Sequence, residues 1–187
     1  MVITILAEPR SGSTNLTNWF YFNKNFTTLF EPANPGSKWY QNEIVPKDYK
    51  YNTKHLCIKE IYYPGINWDS LLSVSDKIIV LYRENGQEQL ESFLNSIKTN
   101  NWHTNYVYKP EENDLLNENA NYFNTLKKQF KENYIDKDFF TISYEDLYYN
   151  NGFEKIVNYL NIPDVENLGF PLGTKYRIYV DKTKTLI

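Results

Sequence analysis

Four short, nearly continuous apolar runs punctuate the chain: "VITILA" (Val2 to Ala7), "HLCIKEIY" (His55 to Tyr62), "KIIVLYR" (Lys77 to Arg83) and "FFTISY" (Phe139 to Tyr144). Runs of this length without regular polar alternation suit strands covered on both faces, as in a parallel sheet. Between them the period changes. Ser13 to Phe22 follows the first run as an aromatic-rich helical stretch. In Gly86 to Lys98, Leu90, Phe93, Leu94 and Ile97 repeat at i, i+3, i+4 and i+7, the stripe of a helix buried on one side. Asn85, three residues before Glu88, predicts a capped start to that helix. Asn113 to Tyr134 is the longest helical pattern and, charged over much of its length, reads as a covering helix. Gly152 to Leu160 is a shorter one, stopped before Pro163. Glu31 to Tyr51 and Asn100 to Asn113 read as irregular, and no internal repeat or low-complexity tract is visible. Strand–helix alternation predicts an α/β domain of three layers around a central parallel sheet. A length of 187 residues fits one domain, residues 1–187.

Composition narrows the class. The chain is 41% hydrophobic and 23% charged, an ordinary globular balance. A net charge of −3 argues against a general nucleic-acid binder. No apolar run approaches the roughly 18 residues of a membrane span, and the first residues lack the basic region and cleavage site of a signal peptide. Cys57 is the single cysteine, and a free thiol suits a reducing compartment. The expectation is a cytoplasmic protein with neither nucleic acid nor membrane as partner, of unspecified oligomeric state.

Candidate chemistry begins at the end of the first apolar run, in "AEPRSGSTNL" (Ala7 to Leu16). A loop between a first strand and its helix gathers backbone N–H groups at a helix N-terminus. There the unpaired donors and the helix dipole both favour an anion. Gly12 lets the backbone approach a phosphate, and Ser11, Ser13, Thr14 and Asn15 add side-chain donors. Arg10 adds a planar, permanently charged fork. The alternative is a solvated turn with a Ser/Thr cap. An ATP-type loop reads G-x-x-x-x-G-K-[ST]. With Gly12 as its second glycine, Ser13 falls where the lysine belongs and Ala7 where the first glycine belongs. No metal-binding Asp follows a later strand, since "KIIVLYREN" ends in Arg83 and Glu84. The loop therefore suits an anionic group held without metal.

"PRSGST" after a first strand resembles the 5′-phosphosulfate loop of sulfotransferases that use 3′-phosphoadenosine 5′-phosphosulfate (PAPS). It is closest to the bacterial carbohydrate-sulfotransferase branch, where Arg replaces the Lys of the cytosolic animal enzymes. "IIVLYRENGQEQLESF" is similar to that family's 3′-phosphate element, a strand ending in Arg and a helix carrying Ser, here Arg83 and Ser92. Their spacing is nine, where the commonest pattern is eight. "ISYEDL" (Ile142 to Leu147) resembles the late strand whose Tyr, here Tyr144, lies against the adenine. The three motifs occur in family order and span residues 7 to 147. The resemblance implies a P-loop-like fold and transfer of a sulfuryl group from PAPS to a hydroxyl acceptor, a carbohydrate or other small molecule. It implies no metal and leaves adenosine 3′,5′-bisphosphate (PAP) as product. Arg10 and residues 11–15 would hold the 5′ end, and Arg10 would also act in catalysis by neutralising the leaving phosphate. Glu31 in "LFEP" matches the region of the branch's catalytic base, with His55 and His103 as alternatives.

Further residues carry weaker expectations. Lys59 lies near the end of its strand. Trp39, Tyr40, Trp102, Tyr106 and Tyr108 could stack on an acceptor, or simply pack. Lys175, Arg177, Lys182 and Lys184 form a basic tail. The competing readings are a kinase with a degenerate loop and a nucleotide-binding module without catalysis.

Overall fold

The computed structural model describes residues 1–23, 25–34, 54–99, 114–135 and 137–162. Among these residues are five strands: β1 (Val2–Ala7), β2 (Phe26–Phe30), β3 (His55–Ile61), β4 (Lys77–Tyr82) and β5 (Phe140–Ser143). All neighbouring pairs are parallel, in the order β2-β3-β1-β4-β5. Among the described residues six α-helices accompany them: α1 (Ser13–Phe22), α2 (Trp68–Ser73), α3 (Gly86–Thr99), α4 (Asp114–Phe130), α5 (Tyr144–Tyr149) and α6 (Gly152–Leu160). α4 runs on into a single π turn, Lys131–Ile135. This is the three-layer α/β arrangement that the strand–helix alternation predicts, consistent with a P-loop-like fold.

The layers follow from the two-residue period of a strand, which sends alternate side chains to opposite faces. Ile3, Ile5, Cys57, Ile61, Ile79 and Leu81 point one way, onto Leu16, Trp19 and Phe20 of α1, Leu147 of α5, and Phe153, Ile156 and Leu160 of α6. Leu6, Leu56, Ile58 and Val80 point the other way, onto Trp68 and Leu71 of α2 and Leu126 and Phe130 of α4. α3 packs outside this second layer, through Phe93 against Phe123 of α4 with rings 4.8 Å apart. Coverage of both faces explains why the strands carry no alternating pattern.

The predicted bounds of β1, α1 and α6 match the structure, and α6 stops at a left-handed Asn161. Asn85 caps α3 as expected, its Oδ1 accepting the Glu88 amide at 3.2 Å. The structure differs from the sequence reading in three elements. β2, α2 and α5 had no counterpart there. Tyr144, expected on the last strand, instead opens α5, because Ser143 turns its Oγ onto the Asp146 amide at 3.0 Å and caps a new helix. Trp39, Tyr40, Trp102, His103, Tyr106, Tyr108 and the basic tail lie outside the described residues. Among the described residues no helix is long and apolar enough to cross a membrane.

Candidate functional site

In an all-parallel sheet every strand delivers its following loop to the same edge, where ligands of α/β folds bind. Here β1, β4 and β5 are adjacent, so the loop at residues 8–12, Arg83 and Tyr144 emerge side by side. The motifs named at residues 10, 83, 92 and 144 meet at this edge.

The loop is wound tightly. The Ser11 Oγ donates back to the Glu8 carbonyl at 2.8 Å and the side chain is fully buried. Ser11 thus closes the turn with its hydroxyl instead of offering it outward, unlike the sequence expectation. Arg10 (φ 62°) and Gly12 (φ 79°) are both left-handed. Gly12, at the N-cap of α1, has no side chain to cap the helix, and the first N–H groups of any helix lack intrahelical acceptors. Ser13 is buried, Thr14 half-buried and Asn15 exposed. Tyr144 and Tyr148 press on Gly12 from above, and the Tyr148 hydroxyl donates to the Gly12 carbonyl at 3.0 Å.

Arg10 reaches α3, its Nε donating to the Ser92 Oγ at 2.8 Å. Arg83 lies with its guanidinium 4.5 Å from the centre of the Tyr144 ring, a cation–π stack. Arg83 also pairs with Glu88 and has Glu145 Oε1 at 3.8 Å. Its buried Nε makes no hydrogen bond among the described residues. Burial, and then the neighbouring charge of Arg83, lower the pKa of Arg10. The two guanidiniums therefore feel each other across the site.

A second group sits at the ends of β2 and β3. Glu31 (φ 53°) follows β2 directly. Its carboxylate pairs with the buried Lys59 ammonium and accepts from Asn34 Nδ2 at 2.9 Å. Lys59 thus holds the candidate base. Glu60, fully buried, accepts the Ala33 amide at 2.6 Å. Burial raises its carboxyl to about 8; the Glu31 charge adds to the rise, while the Ala33 amide and Lys59 oppose it. β2 lies two strands from β1, which at about 4.8 Å per strand separates their ends by roughly 10 Å. His55 starts β3 against Phe26 at the opposite edge, about 20 Å from this end of the sheet at about 3.3 Å per residue. His55, named as an alternative base, thus starts its strand at the far end of the sheet from Arg10.

Three groups at the site were not singled out in the sequence: Glu8, Glu60 and Lys127. Glu8 and Glu60 are charged residues at the ends of apolar strands, a position shared by countless surface loops. Their burial depends on which strands become neighbours. Lys127 lies on the polar side of a helix pattern, and nothing local marks it. No family model matches the chain, and neither does any curated protein or solved structure.

Proposed function

We propose that this protein is a PAPS-dependent sulfotransferase acting on a small hydroxyl acceptor. The observation that carries the reading is convergence. Arg10 and Ser92, read from separate motifs, are hydrogen-bonded, while Arg83 stacks on Tyr144 beside them. The residues fit a nucleotide with phosphate at both ends. The Arg83 charge acts on Arg10, and the buried Arg83 Nε has no hydrogen bond among the described residues, with Glu145 Oε1 3.8 Å away. A polyanion there relieves the repulsion and supplies the missing acceptor.

In this reading Arg10 and the amides of residues 11–15 hold the 5′ end, Arg83 and Ser92 the 3′-phosphate, and Tyr144 the adenine. PAPS, when bound, supplies an activated sulfuryl group on a phosphate leaving group. Arg10 and the loop amides neutralise charge that grows on that phosphate, using donors fixed beforehand by the fold. Glu31, aimed by Lys59 and Asn34, takes the proton of the acceptor hydroxyl.

A second reading has its own support. Arg83 is paired with Glu88 and faces Glu145, as befits a structural residue in a nucleotide-binding module indifferent to a 3′-phosphate. Titration of PAP and AMP by calorimetry, with EDTA present, separates the two. An arginine–phosphate contact contributes about 1.5–3 kcal/mol, or about tenfold to a hundredfold in affinity. The sulfotransferase reading expects PAP to bind at least tenfold tighter than AMP, and Arg83→Ala to erase most of that gap with AMP affinity nearly unchanged. Equal affinity for the two nucleotides in the wild type sinks it and leaves the module.

A further inference from the structure

Beside the two arginines lies a set of polar contacts that grips the backbone of Arg83 and of the loop before Arg10. Glu8 is 1% exposed. Its Oε2 accepts three donors: the Arg83 amide at 3.1 Å, Gln89 Nε2 at 2.9 Å and Lys127 Nζ at 3.3 Å. Gln89, fully buried on α3, passes the connection on, its Nε2 also donating to the Pro9 carbonyl at 2.8 Å. Lys127 reaches in from α4 and donates to the Arg83 carbonyl at 2.5 Å and to Gln89 Oε1 at 2.6 Å. The Glu8 amide closes the set on the sheet, donating to the Leu81 carbonyl at 3.0 Å.

The arrangement is specific in what it grips. It holds Arg83 by both its N–H and its C=O, and it holds the phosphate loop by the Glu8 side chain and the Pro9 carbonyl. One residue separates Pro9 from Ser11, and that residue is the strained, left-handed Arg10. A left-handed non-glycine residue persists only where its surroundings over-determine the backbone. Burying a carboxylate is costly unless it is fully hydrogen-bonded; Glu8 is buried with its Oε1 unpartnered among the described residues, and Lys127, its cation, is 28% exposed, so the pair is an expensive way to support a sheet already packed on both faces. α4 could cover the sheet without Lys127.

We propose that Glu8, Gln89 and Lys127 form a positioning network that fixes Arg10 relative to Arg83 and thereby selects ligands carrying two separated phosphates. The selectivity rests on the nucleotide reading above; the fixing of the two backbones does not. None of the three residues needs to touch a ligand. They act by holding two mutually repelling cations at a set distance, so that a second phosphate meets a guanidinium already in place. A loose pair of loops would still bind a single phosphate at residues 10–15 and would lose the advantage of the second.

Two measurements test this. The first needs no ligand: amide hydrogen exchange of the wild type and Lys127→Met. Exchange in segments 8–12 and 83–86 should rise together by tenfold or more, with the core amides of β3 unchanged. Unchanged exchange in either segment, or a uniform rise across the whole protein, overturns the positioning role. Since Lys127→Met leaves Glu8 buried without its cation, the paired variant Glu8→Gln/Lys127→Met is measured beside it. That variant carries no lone buried charge, and the same rise at residues 83–86 is expected, because the ammonium on the Arg83 carbonyl is gone. The second measurement is the PAP-to-AMP affinity ratio. It should fall severalfold in both variants while AMP affinity stays within about threefold. An equal loss for both nucleotides overturns the selectivity. A wild type that does not distinguish PAP from AMP ends the nucleotide reading and the selectivity with it, while the exchange data still decide the positioning role.

Discussion

Gly12 meets two demands at once. Its φ of 79° is left-handed, and a Cβ added there would lie 2.8 Å from Tyr144 Cδ2 and 3.0 Å from Tyr148 Cε2. Gly65 provides the comparison: φ is 86° and nothing lies within 4 Å of its would-be Cβ. Gly65→Ala therefore bears the backbone cost alone, about 1 kcal/mol. Gly12→Ala adds a steric clash with two rings and should cost about 2–4 kcal/mol. Urea midpoints of the two variants read the difference. Equal losses would mean that Tyr144 swings away freely. At this scale the sequence was legible where a residue type is rare for its place, as with Gly12 and Arg10. It was silent on Glu8 and Glu60. A glutamate ending an apolar run carries no local sign of whether a neighbouring strand will enclose it.

At the scale of elements, periodicity revealed the four strands covered by helices and the four longest helical stretches. It passed over "FTTLF", because two threonines dilute a five-residue run, and β2 lies at the sheet edge with most of its length half-buried. α2 and α5 are one and a half turns each, too short to display a 3.6-residue period. α3 shows both the local and the distant part of a helix start. Asn85 Oδ1 caps the Glu88 amide. The Glu145 carboxylate, arriving from α5, accepts the Glu84 and Asn85 amides at 2.9 and 3.1 Å. Only the first was visible in the sequence. Asn85→Ala should cost about 1 kcal/mol in urea unfolding, the usual value of a lost cap. A negligible loss would mean that Glu145 alone secures the turn.

For the whole molecule, the consequential charge is one that the fold suppresses. Glu60 is held near 8 instead of the ordinary 4.5, so between those values the folded state binds a proton that the unfolded chain has released. Stability must then fall as pH rises through this window and level off above it, by at most about 1.4 kcal/mol per pH unit. Urea unfolding at pH 5, 6.5 and 8 should show the decline in the wild type. Glu60→Gln, which cannot ionise, should flatten it. A wild type equally stable at pH 5 and 8 would contradict a neutral Glu60. Architecture was the most legible property of this chain, because parallel strands buried on both faces write their pattern directly into sequence. The site was legible in Arg10, Arg83 and Glu31 and not in Glu8, Glu60 and Lys127, whose burial or reach depends on which elements become neighbours; that is the difference between a motif and its support.

The strand order has a consequence for the birth of the protein. β1 is the centre of the sheet, and its two neighbours are β3 and β4. It is also made before either of them, and Val2 pairs with Leu56. At synthesis rates of about 5–20 residues per second, this strand, apolar but for Thr4, waits several seconds for its first neighbour. During that time Ile3 and Ile5, completely buried at the end, have only α1 to shelter them, and Leu6, equally buried but on the other face, still awaits α2 and α4. Newly made chains should be most exposed to aggregation, and most dependent on chaperones, before β3 has left the ribosome.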